Sequence, residues 1–179
     1  IEFVLMVLMF LGATNFLTAY LLLQGRAKLA YKNCEVRTTV VVIGLCALVL
    51  FTLVTSREFD SPAKALRVAF FEPLSALSGT GYQTTTYERW SGLGLLALII
   101  PMIIGGGAGS TSGAVKEYRV YLLFYSILWE IRRSLLPRNA VEENYVWYGR
   151  GKNYVDDTKI RQAANYVLLY LVTLAAGTA

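Results

Sequence analysis

Long apolar runs alternate with short polar segments along the chain. Residues 3–23 and 38–55 are free of charge, and each is close to the ~20 residues that a helix needs to cross a bilayer. A third run begins at residue 90, reaches a glycine-rich stretch and resumes as a helix-like sequence over residues 115–131, and a fourth begins near residue 163. This pattern predicts an all-α membrane protein.

The same pattern divides the chain into segments. They are a transmembrane helix (1–24), a cytoplasmic loop (25–37), a helix–loop–helix repeat (38–131), a cytoplasmic connection (132–162) and the start of another transmembrane helix (163–179). The repeat itself consists of a helix (38–56), a short helix with a polar segment (65–86) and a broken helix (90–131). Because the chain opens and closes inside apolar runs, we expect it to belong to a longer polypeptide.

Basic residues orient these helices, because Lys and Arg are enriched in cytoplasmic loops. Residues 24–37 hold four Lys or Arg against one acid, and residues 116–161 hold nine against six. Residues 56–89 hold four of each. We therefore expect the first two segments in the cytoplasm and the third outside, in a multi-pass protein of the cell (inner or plasma) membrane.

Composition agrees with a lipid environment and excludes several kinds of chemistry. The 179 residues are 16% charged, against about 25% in a typical soluble domain, and the mean hydropathy is +0.48. No histidine is present, which removes Ser-His and Cys-His dyads and histidine metal sites. Cys34 and Cys46 form no CxxC motif and are expected to pack. We expect no enzyme activity, no cofactor and no nucleic-acid partner.

The polar segment LSGTGYQTTT, residues 77–86, lies between two apolar runs. The patch AFFEPLSAL before it can form a helix from about residue 67 to 77, too short to span. Gly79 and Gly81 permit backbone angles that turn carbonyls toward one axis, where they could replace the water shell of a monovalent cation. Tyr82 would pack behind them. An external glycine-threonine turn is the alternative, and the short preceding helix favours a re-entrant pore loop.

The predicted cation ligands are the residues of this loop. They are Ser78, Gly79, Thr80, Gly81 and Tyr82, with a potassium ion held by the backbone carbonyls of Gly79, Thr80, Gly81 and Tyr82.

A second glycine-rich stretch, GGGAGSTSG at residues 105–113, interrupts the third apolar run. Its four-residue glycine spacing is typical of close helix packing. It matches neither the dinucleotide-binding nor the Walker pattern, and no histidine can activate its serines. Three consecutive glycines, each costing about 1 kcal/mol in a helix interior, exceed what packing needs, and Pro101 weakens the same helix. We predict an unwound, mobile segment that lines the pore.

The residues of this predicted gate follow one another in the chain. They are Gly105, Gly106, Gly107, Ala108, Gly109, Ser110 and Thr111. Lys116 and Arg119 mark its cytoplasmic end, where their side chains can also simply reach the membrane interface.

The cytoplasmic connection contains YVWYGRGKNYV, in which glycines separate two aromatic-rich flanks. This pattern predicts a short hairpin. It is either an ordinary solvated connection or a docking surface for a cytosolic partner.

Two of these motifs resemble one family. FFEPLSALSGTGYQT is similar to the pore helix and filter of the Trk/Ktr/HKT potassium transporter superfamily, and GGGAGSTSGAVKEYR resembles its intramembrane glycine motif. The opening FLGATNFLTAYLLLQGR and the tract LLPRNAV are also similar. Against the family pattern, Gly79 replaces a hydroxylated residue, Gln83 a serine and Ala114 a glycine. Pro73 stands where alanine or valine is usual, which predicts a shorter pore helix.

The resemblance implies a four-repeat, potassium-channel-like pore in one polypeptide, carrying potassium, or sodium in some members, into the cell. This chain would hold the last helix of repeat two, repeat three and the start of repeat four. Many prokaryotic members dimerise and dock on a cytosolic nucleotide-binding regulatory subunit. Two other readings stay open at this point: the subunit of a homotetrameric pore-loop cation channel, and a non-conducting membrane scaffold with glycine-packed helices.

Overall fold

A computed structural model describes residues 1–136, 144–149 and 151–178. The described chain consists of helices and one hairpin. The helices are α1 (Glu2–Ala13), α2 (Phe16–Leu23), α3 (Ala27–Lys32), α4 (Cys34–Leu50), α5 (Ser56–Glu58), α6 (Pro62–Ser78), α7 (Gly92–Ile104), α8 (Glu117–Leu135) and α9 (Asp157–Thr178). The strands β1 (Tyr145–Tyr148) and β2 (Gly151–Tyr154) are antiparallel.

The first apolar run forms two helices, where the sequence pattern predicted one over residues 1–24. Asn15 has extended backbone angles and caps α2, since its side-chain oxygen accepts a hydrogen bond from the Leu17 amide at 2.9 Å. The amide of Leu17 would otherwise bond to the carbonyl of Ala13 in a continuous helix. The break therefore leaves the last carbonyls of α1 without helical partners.

The second run is longer than predicted. Asn33 caps α4 by accepting from the Glu35 amide at 3.2 Å, so the helix begins four residues before the expected residue 38. A π-helical turn, Phe51–Thr55, then joins α4 to α5. Within the described residues, the resulting segment Cys34–Glu58 is the one helix long and apolar enough to cross a membrane.

Helix α6 packs in the middle of the described helices. Its residues Phe71, Leu74 and Leu77 are buried against α1 and α4, and Val68 and Ala69 are buried against α4 and α7. Pro62 occupies the first turn, where a missing amide costs nothing. The expectation that Pro73 shortens this helix is wrong: α6 runs for 17 residues with Pro73 in its interior and ends at Gly79.

The third run is broken, as the glycines predicted. Helix α7 ends at Ile104, and α8 begins at Glu117. We call the non-helical residues 105–116 between them the glycine loop. It folds back on the end of α7, because the amides of Val115 and Lys116 donate to the carbonyls of Ile103 and Ile104 at 3.1 and 2.8 Å.

The predicted hairpin is present, with Tyr145 opposite Tyr154. A small core joins it to the helices; its buried members are Cys34, Leu122, Val146, Val155 and Ala163. Of the tract LLPRNAV only the two leucines lie within the described residues, and the hairpin's Arg150 lies outside them. Helix α9 begins six residues before the expected residue 163.

Candidate ion filter and glycine loop

The filter segment, residues 79–84, leaves the end of α6 through two left-handed glycines. Gly79 has φ +71° and Gly81 has φ +72°, a region that side chains rarely adopt. Residues 79–83 are exposed on one side of the chain. No described residue donates a hydrogen bond to the carbonyls of Gly79, Thr80 or Gly81. These three carbonyls are therefore available to a ligand on the exposed side.

The other side of the filter segment is tied to α6 by a row of polar side chains, which we call the polar ladder. Its members Glu72, Ser75 and Ser78 are three residues apart and so share one face of the helix. The Ser78 and Thr80 hydroxyls are 2.7 Å apart, and the Ser75 hydroxyl donates to the Tyr82 carbonyl at 2.7 Å. The filter segment is thus attached at alternate residues.

Glu72 forms the third contact of the ladder and the one with most bonds. Its Oε1 accepts from the Thr84 amide at 2.9 Å and from the Thr84 hydroxyl at 2.6 Å. Its Oε2 accepts from the Tyr87 hydroxyl at 2.5 Å. The side chain of Glu72 is 1% exposed. Burial raises the pKa of Tyr87, and the bond to Glu72 raises it further.

Within the described residues Tyr82 is 54% exposed, and the polar ladder supports the filter segment from behind. Packing of Tyr82 behind the filter stays a prediction. Sequence reasoning missed Glu72, although a glutamate in the otherwise apolar stretch AFFEPLSAL is a signal that could have found it. A buried carboxylate needs hydrogen-bond donors, and the threonines and tyrosine that follow the filter supply them.

The glycine loop is held by elements far away in the chain. The Gly107 amide donates to the Ala13 carbonyl at 2.9 Å, and the Thr111 hydroxyl donates to the Gly12 carbonyl at 3.1 Å. These are the carbonyls that the break after α1 leaves free. The Ala108 amide donates to Oε1 of Glu35 at 2.6 Å. The loop is therefore unwound, as predicted, and is also hydrogen-bonded to α1 and α4.

Two glycines of the loop are required by close contacts. A Cβ at Gly105 would lie 2.4 Å from the Gly113 carbonyl oxygen, and Gly105 also has φ +67°. A Cβ at Gly106 would lie 2.5 Å from the Ala13 carbonyl oxygen. Because such distances are far below van der Waals contact, larger residues at either position would displace the loop from α1 or from itself.

Charged residues surround the end of the loop that leads to α8. Lys116 donates to the Ser112 carbonyl, and the Arg119 guanidinium donates to the Val115 carbonyl at 2.9 Å and lies 3.9 Å from the ring centre of Tyr166. The predicted basic residues thus bond to the loop's own backbone. Glu117 is fully buried, and its two carboxylate oxygens lie 2.7 and 2.8 Å from the Thr39 hydroxyl.

Comparison with known proteins identifies the family to which this chain belongs. The family model described as TrkH, cation transport protein, matches residues 1–176. The chain belongs to the TrkH family of cation transport proteins. It is 32% identical over 148 residues to the Trk system potassium uptake protein TrkH of Salmonella typhimurium, covering 79% of this chain and 29% of that protein. It is 38% identical over 73 residues to a cation transporter of Methanocaldococcus jannaschii, covering 41% of this chain and 15% of that protein.

A solved structure of this family has the same fold. The crystal structure of the potassium transporter TrkH from Vibrio parahaemolyticus superposes with a TM-score of 0.74 at 26% identity, covering 91% of this chain and 34% of that one. The chain thus spans about a third of the length of these TrkH proteins. The predicted family and helical membrane fold are confirmed, and the family is one of transport proteins rather than enzymes.

Proposed function

We propose that the chain carries one repeat of a potassium uptake pore and that the ion passes along the filter segment. Support comes from the carbonyls of Gly79, Thr80 and Gly81, which no described residue uses as hydrogen-bond acceptors. A ring of such carbonyls can replace the hydration shell of a monovalent cation. The Tyr82 carbonyl, which already accepts from Ser75, completes the proposed set through its second lone pair, and Ser78 positions Thr80.

The end of α6 adds a favourable electrostatic contribution. The carboxyl end of a helix carries a partial negative charge from its unpaired carbonyls. Gly79, the first residue of the filter segment, is also the residue that ends α6. A cation entering the segment from the exposed side would therefore meet the negative end of the helix dipole as well as the free carbonyls.

One repeat cannot close a filter, and the exposed side of residues 79–83 is where further repeats would lie. The length of the related TrkH chains, about three times that of this one, supports placing those repeats in the same multi-pass polypeptide of the cell membrane. A homodimer and a cytosolic nucleotide-binding regulatory subunit are further parts of the proposal. The hairpin offers a surface for such a subunit, since Tyr145 and Tyr154 are about half exposed.

The glycine loop is proposed to restrict passage beneath the filter, through residues 105–111. Its contacts support this role, because those to α1 and α4 come from elements far away in the chain and add to its bonds with neighbouring residues. A loop held in this way changes position when those helices move. Asn15 also donates to the Tyr148 hydroxyl at 3.0 Å, so the hairpin contacts the same break in the chain from which the loop is held.

The decisive experiment is Gly81→Ser in the full-length protein, expressed in a strain that lacks its own potassium uptake. Because Gly81 has a positive φ, a serine would force the filter backbone to change, and we expect potassium uptake to be lost. Gly92→Ser is the matched control: it lies at the start of α7 with open space around it, and uptake should persist. Normal uptake by Gly81→Ser at equal membrane abundance would refute the proposed filter.

A further inference from the structure

We propose that Glu72 is a positioning residue that sets the filter's preference for potassium over sodium. This inference rests on the proposed function, since it concerns the geometry of the same filter segment. It follows from the polar ladder, in which one buried carboxylate holds the outer end of that segment.

The polar ladder fixes the filter segment at regular intervals. Descending α6 by three residues at a time, from Ser78 through Ser75 to Glu72, leads to partners that advance by two residues, at positions 80, 82 and 84. Helix α6 and the filter segment therefore run antiparallel, and the filter segment lies along one face of the helix. The carbonyls of Thr80 and Gly81 lie between the attachments at residues 80 and 82, and the Gly79 carbonyl lies just before the first attachment.

Glu72 is the strongest attachment for physical reasons. It is the ladder's one acidic residue, it accepts three hydrogen bonds, and it is almost fully buried. A hydrogen bond to an ionised group is roughly twice as strong as a neutral one. Tyr87, one of its donors, is in turn packed edge-on against Trp90 with ring centres 4.9 Å apart. The carboxylate thus joins α6 to the whole segment that leads to α7.

The consequence for selectivity comes from fixing both ends of the filter segment. The inner end is fixed where the Gly79 amide donates to the Ala76 carbonyl at 3.3 Å. The outer end is fixed where Thr84 meets Glu72. The groups of a binding site must be held within about 0.5 Å of their productive geometry. Loss of Glu72 would free the outer end, so the carbonyls could contract around the smaller sodium ion.

A simpler effect of charge is distinguishable from positioning. A negative residue near a pore entrance attracts cations of either kind and would not discriminate between them. Glu88 is an exposed acid next to Tyr87, in the segment that leads to α7. Glu88→Gln removes the same charge without touching the polar ladder and is therefore the matched control.

The test uses the full-length protein in a strain without its own potassium uptake, with uptake of potassium and sodium measured in competition. We expect Glu72→Gln to keep transporting but to lower the potassium-to-sodium preference about fivefold, as expected for weakening one charged hydrogen-bond network. Tyr87→Phe and Thr84→Val each remove one donor and should lower the preference by less. Adding Tyr87→Phe to Glu72→Gln should bring little further loss, because both act through one contact.

Three results would overturn the inference. One is an unchanged ion preference in Glu72→Gln at normal abundance. Another is an equal loss in Glu88→Gln, which would assign the effect to surface charge. If Glu72→Gln fails to reach the membrane, an unchanged preference in both Tyr87→Phe and Thr84→Val would serve as the third. Each differs from failure of the proposed function, which is shown by normal uptake in Gly81→Ser or by an unaltered protein that carries no potassium.

Discussion

The filter segment and the glycine loop are both non-helical stretches that depend on glycine, yet they are held in opposite ways. The filter segment is attached by side chains of the helix that precedes it, 2 to 12 residues away in the chain. The glycine loop, besides its bonds to the end of α7, is attached to Glu35, 73 residues away, and to Gly12, 99 residues away. Because these attachments are local, the filter segment is held to α6 itself. Distant attachment makes the loop's position depend on α1 and α4.

Among the variants that test this comparison, deletion of Gly106–Ala108 should change potassium flux the most. The deletion removes the amides that bond to Ala13 and Glu35 and shortens the segment proposed to restrict the pore. We expect potassium flux through the full-length protein to rise severalfold, with the potassium-to-sodium preference retained because the filter segment is untouched. Flux in reconstituted vesicles measures this. Unchanged or lower flux in a well-folded protein would contradict a gating role for the loop.

Gly106→Ala should change potassium flux less than the deletion does. Its added Cβ would meet the Ala13 carbonyl at 2.5 Å and the Ser112 hydroxyl at 2.8 Å. Such overpacking costs about 1–3 kcal/mol, so we expect a lower thermal midpoint and altered flux. Gly113→Ala is the control, since its Cβ would meet nothing within 4 Å. Equal effects of the two substitutions would show that contact with α1 does not hold the loop.

Glu35→Gln should have the smallest effect. It keeps the shape of the side chain but turns a charged hydrogen bond to the Ala108 amide into a neutral one, a loss of about 1 kcal/mol. We expect a modest rise in potassium flux with ion preference unchanged. Glu58→Gln, an exposed acid at the far end of the same helical segment, should change neither. A changed ion preference in Glu35→Gln would mean that the loop and the filter are not independent.

The features that could be predicted from the sequence have local signals. The broken third run follows from three adjacent glycines, and the hairpin follows from glycines between aromatic flanks. The filter turn follows from Gly79 and Gly81, which the structure places at positive φ. In each case the residues that determine the structure are the residues that adopt it.

The features that were missed depend on partners distant in sequence or on single polar residues within apolar runs. Asn15 divides the first run, but hydropathy is equally high on both sides of it. Glu35 looked like one acid in a basic loop until the fold placed Ala108 beside it. Pro73 was expected to shorten α6, but packing of Phe71, Leu74 and Leu77 against α1 and α4 outweighs its local cost.

The break at Asn15 has a consequence for how this protein can be divided. Repeats in a sequence suggest interchangeable units, and the predicted boundary between two of them lies in residues 25–37. Here the carbonyls that receive the glycine loop belong to the helix before that boundary, at Gly12 and Ala13. A chimera joined within residues 25–37 would replace the α1 carbonyls that accept hydrogen bonds from the glycine loop. A chimera joined ahead of α1 would keep the loop and these carbonyls together. The unit that keeps the glycine loop with its contacts therefore includes α1, ahead of the predicted boundary.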